Sequence, residues 1–142
     1  MPQNPPEGYH TLTPQIVVED ARETIDFVQN VFDADLRENY EDDGRIVHSE
    51  VMIGDSRLMI ASASEEFGVF PLMVNLYVDD VDATFAKAIE HGATSLRDPA
   101  DQFYGDRTGG VIDPQGNQWW ISTHIEDVSE EEMRRRAAES VG

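Results

Sequence analysis

The 142-residue sequence contains no cysteine, which excludes disulfides, thiolate catalysis and cysteine-based zinc or iron–sulfur centres. Lysine is nearly missing as well: Lys87 stands alone beside nine arginines. No run of 18 apolar residues exists, and the opening Met1-Pro2-Gln3-Asn4-Pro5-Pro6 lacks the basic and apolar regions of a signal peptide. A cytoplasmic location is the resulting expectation. Positive charge is scarce throughout, with 10 Lys plus Arg against 29 Asp plus Glu and a formal net charge of −19. Such a surface repels phosphate backbones and anionic bilayers, so neither nucleic acid nor membrane is an expected partner, and a cationic small molecule is weakly favoured. An acidic, lysine-poor surface also stays soluble at high salt, where screening relieves its self-repulsion. Arginine-for-lysine drift explains the lysine count equally well and the charge less well.

What is present is repetition. Val18-Glu19-Asp20-Ala21-Arg22-Glu23-Thr24-Ile25 and Val78-Asp79-Asp80-Val81-Asp82-Ala83-Thr84-Phe85 align sixty residues apart, each after a short alternating segment. Ile25, Val28 and Phe32 recur at helical spacing in the first, and Val81, Phe85, Ala88 and Ile89 in the second. Asp20 with Glu23 reads as a capping box, Asp79 or Asp80 caps the second helix, and Gly92 suits a helix end. Strand-like pieces follow each helix: 35–41, 45–53 and 57–63, then 94–97, 108–113 and 118–124. Each half therefore reads β-α-β-β-β, over 10–63 and 71–125. A third helix over 129–139 starts at Ser129, with Glu130, Glu131 and Glu132 in its first turn and Arg134, Arg135 and Arg136 in its last. All three Glu-to-Arg pairs fall at i,i+4.

Paired β-α-β-β-β units of this length resemble the vicinal oxygen chelate superfamily, which includes glyoxalase I, extradiol dioxygenases and bleomycin- or fosfomycin-resistance proteins. The resemblance is strongest in Tyr104-Gly105-Asp106-Arg107, Asp113-Pro114-Gln115-Gly116-Asn117-Gln118-Trp119 and Thr123-His124-Ile125-Glu126-Asp127-Val128. With Val47-His48-Ser49-Glu50 upstream, these are similar to the PhnB-like branch. The resemblance implies an α+β fold: tandem βαβββ modules forming a cup-shaped mixed sheet, plus the short C-terminal helix. It also implies a homodimer and, in metal-using members, two ligands from each half. Those ligand positions carry over onto or near Thr13, Glu50, Met73 and Trp120, of which only Glu50 is a competent ligand. Asn117 stands where the branch usually has histidine.

Period-two alternation sorts the strand residues into a helix-facing set and an open set. Ile16, Val18, Val47, Val51, Ile53, Leu72, Val74, Leu76, Trp119 and Ile121 are expected to pack on the helices. The open face is expected to hold Gln15, His48, Glu50, Met52, Met73, Asn75, Tyr77, Trp120 and His124, a mixture of aromatic, thioether and polar groups that suits a small-molecule pocket. Tyr104 and Arg107 join as candidate ligand contacts. Arg107 is either an anion anchor or, more readily, a structural partner of Asp106. Glu50 and His48 are the candidate catalytic pair and, if a divalent metal binds, its ligands; no other cofactor is expected. The leading expectation is a protein that binds a planar, partly aromatic small molecule without the usual metal site, as antibiotic-resistance members do. The alternative is a metal-dependent lyase, isomerase or dioxygenase built on Glu50 and His48. An interaction module with a vestigial pocket is the third reading.

Overall fold

The computed structural model describes residues 1–140. The chain divides into two compact units, Met1–Leu72 with Asp113–Asn117, and Met73–Ile112 with the chain from Gln118 onward. In the first, β1 (Gln15–Val18) leads into α1 (Ala21–Phe32), then β2 (Asp35–Asp42), β3 (Arg45–Ile53) and β4 (Ser56–Ser62). In the second, β5 (Met73–Tyr77) leads into α2 (Val81–Glu90), then β6 (Thr94–Asp101), β7 (Asp106–Ile112), β8 (Gln118–His124) and α3 (Glu130–Ser140). The sheets are ordered β1-β4-β3-β2 and β5-β8-β7-β6, each with one parallel pair made by its first and last strands. These are the two βαβββ units and the C-terminal helix that the sequence pattern predicts.

Helices α1 and α2 each cover one face of their own sheet. The Asp20 carboxylate accepts the backbone N–H groups of Arg22 and Glu23 at the start of α1, and Asp80 accepts that of Ala83 at the start of α2. The first core joins Ile25, Val28, Val31 and Phe32 of α1 to Ile16, Val18, Val51 and Ile60. The second joins Val81 and Ala88 to Val111, Trp119 and Ile121. The turn before β8 is held by side chains: Asp113 Oδ1 accepts the N–H groups of Gln115 and Asn117, while Asn117 Oδ1 accepts that of Leu72. Asn117 is fully buried, so where the branch pattern has histidine this chain has a structural staple.

Three sequence expectations change. Val47 is 39% exposed rather than packed on α1, and Ile46 is buried instead. The cause is a β-bulge: β3 advances two residues from Ile46 to His48 while β2 advances one, so Val47 is the unpaired extra residue and the alternation flips. Strand β6 runs on to Asp101, past its predicted end at Arg97, because two register shifts and Pro99 mask its alternation. Helix α3 spans Glu130–Ser140, and its arginines lie mid-helix rather than in the last turn. Arg134 pairs with Glu130 and Arg136 with Glu132, but Arg135 pairs with Glu132 and Glu139 rather than with Glu131.

Candidate functional site

The open face of each sheet, opposite its helix, is built in rows, because laterally paired residues point the same way. Across the first sheet one row reads Gln15, Met59, Glu50, Glu38. Across the second the corresponding row reads Asn75, Trp120, Gly110, Arg97. The sixty-residue repeat makes Gln15 the counterpart of Asn75, and the pairing makes Met59 the counterpart of Trp120.

On the first sheet, Glu50 is 4% exposed at the centre of a polar network. Its Oε1 accepts from the Tyr9 hydroxyl and from Arg57 Nη1 at 2.9 Å, and its Oε2 lies 2.7 Å from His48 Nε2. Burial by itself raises the Glu50 carboxyl, but the hydrogen bonds from Tyr9, His48, Arg57 and Glu38 outweigh it and hold the group at about 2. Glu38 is pushed upward, chiefly by its hydrogen bond to Glu50 and next by the charge of that carboxylate. Arg57 also stacks on the Tyr9 ring, 4.2 Å from its centroid, and donates from Nε to the Gly8 carbonyl. The His48 ring stacks on Tyr40 at 6.4 Å.

The second sheet presents a different surface. Met73, Val74, Asn75, Tyr104, Thr108 and Trp120 line an open hollow of about 350 Å³. Trp120 lies directly over Gly110: a Cβ on that glycine would stand 2.5 Å from indole Cζ3 and 2.6 Å from Cε3. The missing side chain is therefore what lets the indole lie down on the sheet. Its Nε1 donates to Gln118 Oε1 at 3.3 Å, and the Arg97 guanidinium stands over its ring at 5.4 Å. Beyond the hollow, buried Asp106 accepts from the Tyr77 hydroxyl at 2.8 Å and meets His124 Nδ1 at 2.8 Å. His124 Nε2 meets Asp127 at 2.7 Å, and hydrogen bonding to Asp106 and Asp127 raises the imidazole. The Tyr77 hydroxyl is raised by its bond to Asp106.

The structure brings most of the sequence-predicted residues onto open faces, in two groups. Met73, Asn75, Tyr104 and Trp120 share the hollow; Tyr77 and His124 meet at Asp106. On the first sheet, Glu50 and His48 touch, Gln15 occupies the Glu50 row two strands away, and half-buried Met52 pairs with Arg57. Arg107 is a correction. It faces α2, where it grips Asp82 with Nε and Nη2 at 3.0 Å, and it reaches Asp101 at 3.1 Å, so its partners are these two carboxylates and not Asp106. Sequence reading missed Glu38, because a second bulge at Arg37 flips its parity onto the Glu50 face. Arg57 was recoverable from alternation on β4, where it shares parity with Met59. Tyr9 precedes any strand and left no periodic signal.

The metal set implied by the resemblance does not fit this chain. Thr13 lies ahead of β1, Met73 offers an exposed thioether, and Trp120 offers only an N–H donor. Glu50 sits on β3; the counterpart of Trp120 in the first sheet is Met59, another weak ligand for a hard cation. A different combination, Glu50 with Glu38 and His48, does place ligand atoms within 4.8 Å of one another. Arg57, bonded to Glu50 Oε1, opposes a cation there electrostatically.

Residues 9–121 match the sequence model of the Glyoxalase/Bleomycin resistance protein/Dioxygenase superfamily, and the chain belongs to that family. It is 33% identical over 135 residues to an uncharacterised protein of Mycobacterium bovis, covering 87% of this chain and 89% of that one. An uncharacterised Mycobacterium tuberculosis protein shows the same identity, with 87% and 79% covered. Among solved structures, TioX from Micromonospora sp. ML1 superposes with a TM-score of 0.71 at 23% identity, covering 82% of this chain and all of that one. A glyoxalase/bleomycin resistance protein/dioxygenase family enzyme from Burkholderia phytofirmans gives 0.64 at 23% identity, with 78% and 95% covered. At these identities the structural likeness establishes the fold.

Proposed function

We propose that the protein binds a small, flat organic molecule against the open face of the second sheet, with Trp120 as its platform. The observation that carries this reading is the indole laid over Gly110 beside a hollow of about 350 Å³. Met73, 72% exposed, supplies a deformable apolar wall, and Asn75 and Thr108 supply polar groups for orientation. Asn75 Oδ1 already accepts from the Ser122 hydroxyl, which leaves its amide nitrogen to face a ligand. Planar antibiotics and similar compounds are the leading candidates, through the resemblance to resistance proteins. The same reading takes the protein as a cytoplasmic homodimer of the PhnB-like branch. Isothermal titration with 2-naphthamide tests the site. Saturable binding weakened about tenfold or more by Trp120→Ala supports it, and unchanged affinity in that variant refutes it.

One observation favours a second reading. The convergence of Glu38, His48 and Glu50 within 4.8 Å would suit a metal-dependent enzyme if Arg57 withdrew. A divalent ion retained by the wild type and lost in Glu38→Gln and His48→Asn would establish it.

A further inference from the structure

We infer that the ligand of the second sheet carries a negative charge beside its flat ring, and that Arg97 selects it. This inference rests on the reading of Trp120 as the binding platform.

Arginine is scarce and heavily committed in this chain. Arg22, Arg37, Arg57, Arg107, Arg134, Arg135 and Arg136 all pair with carboxylates, and Arg45 donates to the carbonyls of Ser62 and Ala63. Among the described arginines Arg97 is the one whose guanidinium makes neither an ion pair nor a hydrogen bond, its one contact being the Trp120 ring, although 29 acids compete for it. Asp98, its neighbour in sequence, accepts from the Ser95 hydroxyl, and Asp101 is taken by Arg107. Register fixes where this unpaired cation stands. Arg97 pairs with Gly110 and Gly110 with Trp120, so guanidinium and indole share the open face, and the absent side chain at Gly110 leaves nothing between them. The guanidinium carbon lies 5.4 Å from the indole centroid.

An aromatic acid of one or two rings, lying beside Trp120, would bring its carboxylate to the guanidinium edge, where two parallel N–H donors can hold it. The global charge of −19 argues for a cation, but over distances beyond about 8 Å that field is screened at physiological salt. The nearest unpaired charge decides instead. Because Arg97 is exposed, its pairing is worth about 1 kcal/mol at most, or about fivefold in affinity.

The test titrates the full chain with 2-naphthoate, 2-naphthamide and 2-naphthylmethylammonium by calorimetry in 0.15 M salt. The expected result is an affinity ratio of naphthoate to naphthamide of about five, collapsing toward one in Arg97→Gln and partly kept in Arg97→Lys. A ratio of one in the wild type, tighter binding of the ammonium compound, or a ratio that survives Arg97→Gln overturns the inference while leaving the platform reading in place. Failure of all three probes to bind overturns the platform reading, and the charge assignment falls with it.

Discussion

Substituting Gly110 by alanine tests the construction of the site more sharply than deleting any side chain. The added Cβ would stand 2.5, 2.6 and 2.8 Å from three carbons of the Trp120 ring, where ordinary contact begins at 3.4 Å. The ring must therefore withdraw by about 0.9 Å or rotate off the sheet. Overpacking of this kind costs about 1–3 kcal/mol, and the half-exposed indole has room to move, which favours the lower part of that range. With a urea slope of about 1.5 kcal/mol/M, a loss of about 1–1.5 kcal/mol lowers the unfolding midpoint by about 0.7–1 M. The displaced indole should emit further to the red, and naphthamide affinity should fall. Gly109→Ala provides the matched comparison. Its Cβ meets Phe85 and Pro99 at 2.9 and 3.0 Å, so it should destabilise by a similar amount while leaving Trp120 emission and ligand affinity close to wild type. The reasoning is refuted if Gly110→Ala keeps the wild-type midpoint and spectrum, or if the two variants change Trp120 emission and naphthamide affinity alike.

Glu50→Gln removes the one carboxylate that pairs with Arg57 among the described residues, and the Arg57 side chain is 10% exposed. It should cost about 2–4 kcal/mol in urea unfolding, and a loss under about 0.5 kcal/mol would contradict the network described here. Because the Glu50 pKa is depressed to about 2, its contribution is complete above the unfolded value near 4.5 and disappears as pH falls from there to about 2. The urea midpoint of the wild type should fall across that window more steeply than that of Glu50→Gln; parallel curves would show that Glu50 is not so held. His124 is raised, so its contribution is complete below about pH 6.5 and is lost as pH rises through the folded value. Midpoints measured from pH 6 to 9 should decline less in His124→Asn than in wild type, and an equal decline would refute the assignment. Arg107→Gln should leave naphthoate affinity within about twofold, since Arg107 is bound to Asp82 and Asp101 on the helix side; a larger loss would return it to the site.

Much of the fold was legible because each unit is locally consistent. The repeated acidic caps, the apolar helix stripes and the alternation in β1, β5 and β8 all point to one arrangement, and Trp119 packs while Trp120 faces out as parity requires. The errors have one cause. Val47 was assigned to the wrong face and Glu38 to none, because each lies at or beyond a bulge, and a single unpaired residue reverses every later assignment on its strand. The register shift between Ser95 and Arg97 reverses the face of Arg97 on β6 in the same way. Tyr9 was invisible for another: it reaches Glu50 across 41 residues from a segment without periodic structure. Of the candidate site, the aromatic and thioether residues could be read from the sequence. The charges that discriminate between ligands could not, since they depend on pairing partners far away in the chain. Asp106 illustrates the point, because its neighbour Arg107 points to the opposite face and its partners are Tyr77 and His124.

Native mass spectrometry of the untagged chain, purified without chelator, addresses the central claim most directly. Spectra would be recorded for wild type and Trp120→Ala, each with and without added 2-naphthoate. The account predicts a metal-free protein that carries one organic molecule per chain, retained or supplied by the probe, with that adduct depleted in Trp120→Ala. One divalent ion per chain, with no organic adduct in either protein even after naphthoate is added, would contradict it and make Glu38, His48 and Glu50 the functional centre.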